Sequence, residues 1–153
     1  MLANNKPLHL ILIALSTTWI ANNMKTITVV YFIKYNLGLE KYFGLILFGV
    51  ILQIMLGAFV ANFIKNKFEK KDLFIIGTFL YVISDLVIFF ITGYQNLLFF
   101  SFIASFGFIG FGISIVMSWS ILADTIEYGE WKSGIRLEAM INSFHQFLYK
   151  LAI

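Results

Sequence analysis

Long runs of apolar residues alternate with short polar passages along this chain, and the runs set the predicted elements. They cover residues about 8–33, 43–64, 73–92 and 97–122, and a further apolar stretch opens at 139 and reaches 153. A helix needs about 20 mostly apolar residues to cross the hydrocarbon core. The pattern therefore predicts an all-α membrane protein with four transmembrane helices and a fifth that 153 cuts short. Pro7, the one proline, sits at the mouth of the first helix, where its missing N–H costs nothing. That first run is too long for the apolar segment of a secretory leader and has no small-residue cleavage site after it, which predicts a retained helix.

Composition agrees with the pattern. The chain is 60% hydrophobic and 12% charged, whereas a soluble domain carries roughly 25% charged residues. With no cysteine, disulfides and thiolate metal sites are excluded. The net charge of +3 comes from lysines beside apolar runs, not from a basic face interleaved with stacking aromatics. Membrane lipid is the expected partner and nucleic acid is not. Lys6, the loop lysines Lys65, Lys67, Lys70 and Lys71, and Lys132 with Arg136 fall on one side of the predicted spans, against Lys34 and Lys41 on the other. By the positive-inside rule the N-terminus and the lysine loop face the cytoplasm, in the cytoplasmic (inner) membrane. No linker, repeat or low-complexity tract divides residues 1–153.

Ionisable and amide side chains inside a span are costly and line cavities or meet partners. Thr18, Asn22, Lys25 and Thr26 form a polar stripe on the first helix, with Asn23 beside it and Trp19 one turn before Asn23. The stripe is either a hydrophilic lining for a solute pathway, or a snorkelling Lys25 with amides bonded to neighbouring helices. Asp85, near the middle of the third span, is a candidate cation or proton site; it could instead pair with a lysine or be protonated onto a carbonyl. Lys150 lies too deep in the fifth stretch to snorkel back, which points to a cavity or a carboxylate partner. Gln53 in the second span reads as packing.

In the fourth span Gly110, Ser114 and Ser118 recur every four residues, as do Ser101 and Ser105. Small residues at that spacing let helix backbones approach closely, a packing motif. His9 and His145 lie at opposite ends of the chain without a third metal ligand spaced to help either, and the glycines lack the strand and lysine of a nucleotide loop. No metal site, cofactor or catalysis is predicted.

One passage breaks the apolar character: "ADTIEYGEWKSGIRLEA", residues 123–139. Asp124, Glu127 and Glu130 are spaced by three and share one flank of a helix, and Ser133–Gly134 supplies a break. Lys132 and Arg136 can pair with carboxylates locally or elsewhere. Each such pair is worth only about 0–1 kcal/mol at a wet surface, but several together bias an element that opens and closes. The passage is either a solvated loop or a gate; three carboxylates in register, two aromatics and a glycine favour the gate, with Asp124, Glu127, Tyr128, Glu130, Lys132, Arg136 and Glu138 as its residues.

Trp119, Ala123, Asp124, Tyr128-Gly129-Glu130-Trp131-Lys132, Gly134, Arg136 and Glu138 together resemble the cytoplasmic signature of the glycoside–pentoside–hexuronide:cation symporters, the melibiose permease group of the major facilitator superfamily. Glu127 stands where that family more often has aspartate, and Ser118 where many members have proline. "NKPL" and "YFIKYNLG" are similar to the family's seventh helix, and "KNKFEKK" to its basic turn between helices eight and nine. The resemblance covers essentially the whole chain as helices seven to ten and part of eleven, the major facilitator C-terminal half. It implies a secondary active carrier in which two six-helix halves rock around a central sugar site, coupled to Na⁺ or H⁺. The charged passage then belongs to the cytoplasmic gate, and Lys150 matches a lysine beside the cavity. Trp119, Asn22 and Lys25 join it as candidate cavity residues. The family's cation-binding acids lie in its first six helices, so the missing N-terminal half is an implied partner; Asp85 matches no family motif. The other possibilities are a small membrane subunit that associates with a separate half, and a non-functional transporter remnant.

Overall fold

The computed structural model describes residues 6–90, 97–134 and 138–151, and every regular element among them is helical. The helices are α1 (Lys6–Phe32), α2 (Phe43–Ile64), α3 (Lys70–Phe90), α4 (Leu97–Ser133) and α5 (Glu138–Leu151). After α1 the chain makes one wide turn, Ile33–Leu37, and reverses at Gly38, whose φ of 64° is the left-handed value a glycine cap supplies. A short turn, Glu40–Tyr42, then leads into α2.

Three helical segments are long and apolar enough to cross a membrane: Glu40–Ile64, Lys70–Phe90 and Phe99–Lys132. The hydropathy pattern predicts a fourth in α1. That helix has the length, at 27 residues, but Ser16, Thr17, Thr18, Asn22, Asn23 and Lys25 dilute its apolar character. Its hydroxyls are satisfied inside the helix. Ser16, Thr18 and Thr26 donate to Leu12 O (2.7 Å), Ala14 O (2.7 Å) and Asn22 O (2.8 Å), the usual way a helix keeps such groups in an apolar setting.

The chain divides into two compact units, Met1–Val30 with Ser118–Ile153, and Tyr31–Met117. No linker marks the division, because it falls within the continuous helices α1 and α4.

In the unit Tyr31–Met117, α4 is the common wall for α2 and α3. A methyl group on Gly57 would collide with the carbonyl oxygen of Ile109, and one on Gly112 with that of Ile54, so α2 and α4 touch backbone to backbone. The α3–α4 crossing repeats the device. A Cβ on Gly77 would lie 2.6 Å from Gly110 O, and one on Gly110 would lie 2.6 Å from Gly77 O. Polar groups then tie the crossing. Thr78 Oγ1 and Ser114 Oγ are 2.8 Å apart, Ser114 Oγ donates to Phe74 O (3.1 Å), and Ser84 Oγ donates to Ile103 O (2.9 Å). Leu73, Gly77, Tyr81 and Ser84 are the buried face of α3, and Tyr81 packs on Phe111 with ring centroids 5.3 Å apart. Ala61, Leu73, Ile113 and Met117 form the apolar core of this unit. Of the small residues of α4, Gly110 and Ser114 thus pack against α3.

In the unit Met1–Val30 with Ser118–Ile153, the i, i+3, i+4, i+7 stripe of α1 (Leu8, Ile11, Leu12, Leu15) is buried with Leu122 of α4 and Ile141 of α5.

Candidate functional site

Most candidate side chains belong to the second of these units, where α5 does the positioning. Ile141, His145 and Tyr149 follow one another at four-residue spacing and so share one face of α5. Ile141 anchors that face in the apolar core. One turn on, the His145 ring meets Trp119 of α4 edge-on at 4.6 Å, and a further turn on Tyr149 meets Trp19 of α1 edge-on at 4.8 Å. The opposite face is exposed and carries Ser143, Gln146 and Lys150.

Of the predicted cavity residues, Trp119 is therefore packed against α5, while Lys150 stands on the exposed side of the same helix. Asn22 and Lys25 are half-buried on α1. From the sequence His145 enters only as a histidine without further metal ligands beside it, and Tyr149 not at all. Their signal was the four-residue spacing from Ile141, which marks an inward face but does not say which rings await it. His145 is only 4% exposed, and neither ring nitrogen has a hydrogen-bond partner among the described residues.

Asp85 belongs to the unit Tyr31–Met117. It is half-buried on α3, next to the buried Ser84 and one turn after Tyr81, within electrostatic reach of the phenol.

The acidic passage is helical. α4 continues past the predicted end at 122 to Ser133, and Asp124 and Glu127 are exposed along it while Glu130 is half-buried. Tyr128 and Trp131 lie 6.1 Å apart between centroids, and Lys132 Nζ sits 6.0 Å from the Tyr128 ring centre, a cation–π contact. The predicted break is present: Gly134 has φ 69° and donates its N–H to Glu130 O at 2.8 Å. α5 resumes at Glu138, where a carboxylate suits the positive helix start. Arg136 lies outside the described residues. What the unit offers chemically is a set of ring edges with half-buried amide and ammonium groups.

Comparison with known proteins fits this picture. A family model described as MFS/sugar transport protein matches residues 1–153. The uncharacterized symporter YjmB of Bacillus subtilis (strain 168) is 36% identical over 97% of this chain and 32% of its own length. An isoprimeverose transporter of Lactiplantibacillus pentosus is 26% identical over 88% of the chain and 28% of its own length. The glucuronide carrier protein homolog of Escherichia coli (strain K12) is 27% identical over 97% of the chain and 33% of its own length. The chain thus spans about a third of the length of the curated relatives it matches. No solved structure matches it.

Proposed function

Since the chain belongs to the MFS/sugar transport protein family, we propose that it forms part of a secondary active carrier that moves a sugar, glycoside or sugar acid by symport with Na⁺ or H⁺. The observation that carries this reading is the family match over residues 1–153, with relatives named as symporter, isoprimeverose transporter and glucuronide carrier homolog. The chain is an integral membrane protein with apolar helices of spanning length. In this proposal it sits in the cytoplasmic membrane with its N-terminus inside, as the lysine distribution favours.

The working parts divide between the helices. Trp119, with Asn22, Lys25 and Lys150, contributes to the solute cavity, where rings stack on sugar faces and polar groups meet hydroxyls or a carboxylate. Asp124, Glu127, Tyr128, Glu130, Lys132, Arg136 and Glu138 form one side of a cytoplasmic gate, whose other side belongs to the N-terminal half of the carrier. The Gly134 break lets α5 move against α4 as the gate opens. Asp85 is the candidate cation or proton group.

The test is uptake. Vesicles holding the complete carrier are assayed with radiolabelled isoprimeverose and a glucuronide, with and without a Na⁺ or H⁺ gradient. Accumulation that follows one of the gradients supports symport. Entry that is indifferent to both gradients refutes it.

A further inference from the structure

We propose that the α2–α3 turn with the end of α2 is a binding site for an anionic diacyl phospholipid, its headgroup on Lys65 and Lys67 and its acyl chains along Phe59 and Phe63. This inference rests on the membrane reading of the fold and is independent of the transport proposal.

The apolar part of the site is a column on α2. Phe59 and Phe63 are one turn apart, 61% and 66% exposed, and their rings pack edge to face at 4.6 Å. Paired in this way they present a continuous hydrocarbon surface left exposed among the described residues.

Directly beyond Phe63 the character inverts. Asn62 donates its amide to Ala58 O (3.3 Å) and accepts a hydrogen bond from Lys65 Nζ (3.1 Å). The ammonium is thereby held at the last turn of α2 with donors to spare, since an ammonium has three. Next the turn is closed on one carbonyl: the N–H groups of Lys67 and Phe68 both donate to Ile64 O, at 2.9 and 3.3 Å. Lys67 and Phe68 therefore project from a defined backbone. Lys65, Lys67 and Lys71 are exposed and Lys70 is half-buried, with Glu69 and Asp72 as the only carboxylates in the stretch. Phe68 is 52% exposed among these lysines.

A ring left in water between cations is poorly placed, but the same ring at the boundary between headgroups and hydrocarbon is well placed. An occupant must then be anionic at one end and carry two hydrocarbon chains, which is the chemistry of a phospholipid with net negative charge. A zwitterionic headgroup brings its own cation and gains less from the lysines. Each lysine near an anionic surface is worth about fivefold in affinity.

The experiment titrates the full chain in detergent micelles with dioleoylphosphatidylglycerol or dioleoylphosphatidylcholine and counts bound lipid by native mass spectrometry. Phosphatidylglycerol is expected to bind tighter. Lys65→Gln and Lys67→Gln each weaken it about fivefold and flatten its salt dependence, with little effect on phosphatidylcholine. Lys41→Gln, at the other end of α2, leaves both lipids unchanged. Phe63→Ala weakens both lipids alike. These exposed positions leave the fold intact, checked by unchanged circular dichroism. Equal affinity for the two lipids overturns the proposal, as does an effect of Lys41→Gln equal to that of Lys65→Gln. Phe63→Ala without effect, or full displacement by an equal concentration of inorganic phosphate, overturns the acyl seat. A lysine-dependent dimer in place of lipid adducts would give the surface to a second copy of the chain instead.

Discussion

The α2–α4 crossing allows a sharp test of how this chain is held together. Gly112 lies against the carbonyl of Ile54 and Gly57 against that of Ile109, so a single methyl at either position has no room unless the helices part. Both obstacles are backbone, and no side-chain rotation relieves them. Forcing extra methylenes into packed contacts costs about 1–3 kcal/mol. Replacing a helical glycine by alanine returns at most about 1 kcal/mol of propensity. Gly112→Ala should therefore lose about 1–2 kcal/mol net. Gly49→Ala, on the same α2 but with nothing within 4 Å of the new Cβ, should gain a few tenths to about 1 kcal/mol. The two substitutions thus carry opposite signs. Because the Gly57 Cβ position also lies 3.1 Å from Gly112 Cα, both glycines guard one gap. Once one methyl has opened it, a second costs less, and the double variant should fall short of the sum by at least about 0.5 kcal/mol. The native chain has no cysteine, so dyes on cysteines introduced at the exposed Leu45 and Phe102 report the helix separation during unfolding in mixed micelles. Gly112→Ala as stable as Gly49→Ala, or strict additivity with Gly57→Ala, would refute the close crossing.

Three further outcomes can be read in the same or a related assay. Ser84→Ala removes the bond to Ile103 O and should cost about 0.6–1.7 kcal/mol, the range for interhelical hydrogen bonds in membranes; no loss would mean that the carbonyl is satisfied without it. Gly134→Ala places a Cβ in left-handed backbone and should cost about 1–2 kcal/mol, with Gly134→Asn costing less, so equal stability of all three chains would remove the strain argument. In the complete carrier, Asp85→Asn should alter the pH or cation dependence of uptake; normal uptake with normal dependence would assign Asp85 to packing.

The existence of the helices was legible because hydrocarbon length and apolar run length must match. For α2 the predicted 43–64 coincides with the observed Phe43–Ile64. α4 shows the limit of that signal. Hydropathy falls off at 122, yet Asp124, Glu127 and Glu130 are compatible with helix, so the backbone continues until Gly134 breaks it. Hydropathy marks where lipid compatibility ends, which is a different property from where hydrogen bonding ends. In α1 the polar stripe lowers hydropathy without interrupting the helix, and the predicted 8–33 meets the observed Lys6–Phe32. The Gly110–Ser114 face was legible as packing, but its mate Gly77 was not, and neither was the Gly57–Gly112 crossing. Gly57 and the fully buried Ala61 do stand four apart, a small-residue spacing that could have pointed to it.

His145 is the residue the sequence hid most thoroughly, because nothing local distinguishes an inward imidazole from an outward one. Its position is imposed by neighbours: Ile141 is fixed in the core and Tyr149 on Trp19, so the residue between them must face Trp119. The imidazole is thereby buried without a hydrogen-bond partner among the described residues, an arrangement that costs about 1–3 kcal/mol relative to a satisfied group. An apolar side chain of similar size escapes that penalty. His145→Leu should accordingly match or exceed the parent in stability, by up to about 1 kcal/mol, once lost contact with Trp119 is set against the relief. A variant clearly less stable than the parent would refute this account. If the same substitution also abolishes uptake by the complete carrier, the histidine is retained at a cost in stability, as expected of a group kept for function rather than for packing.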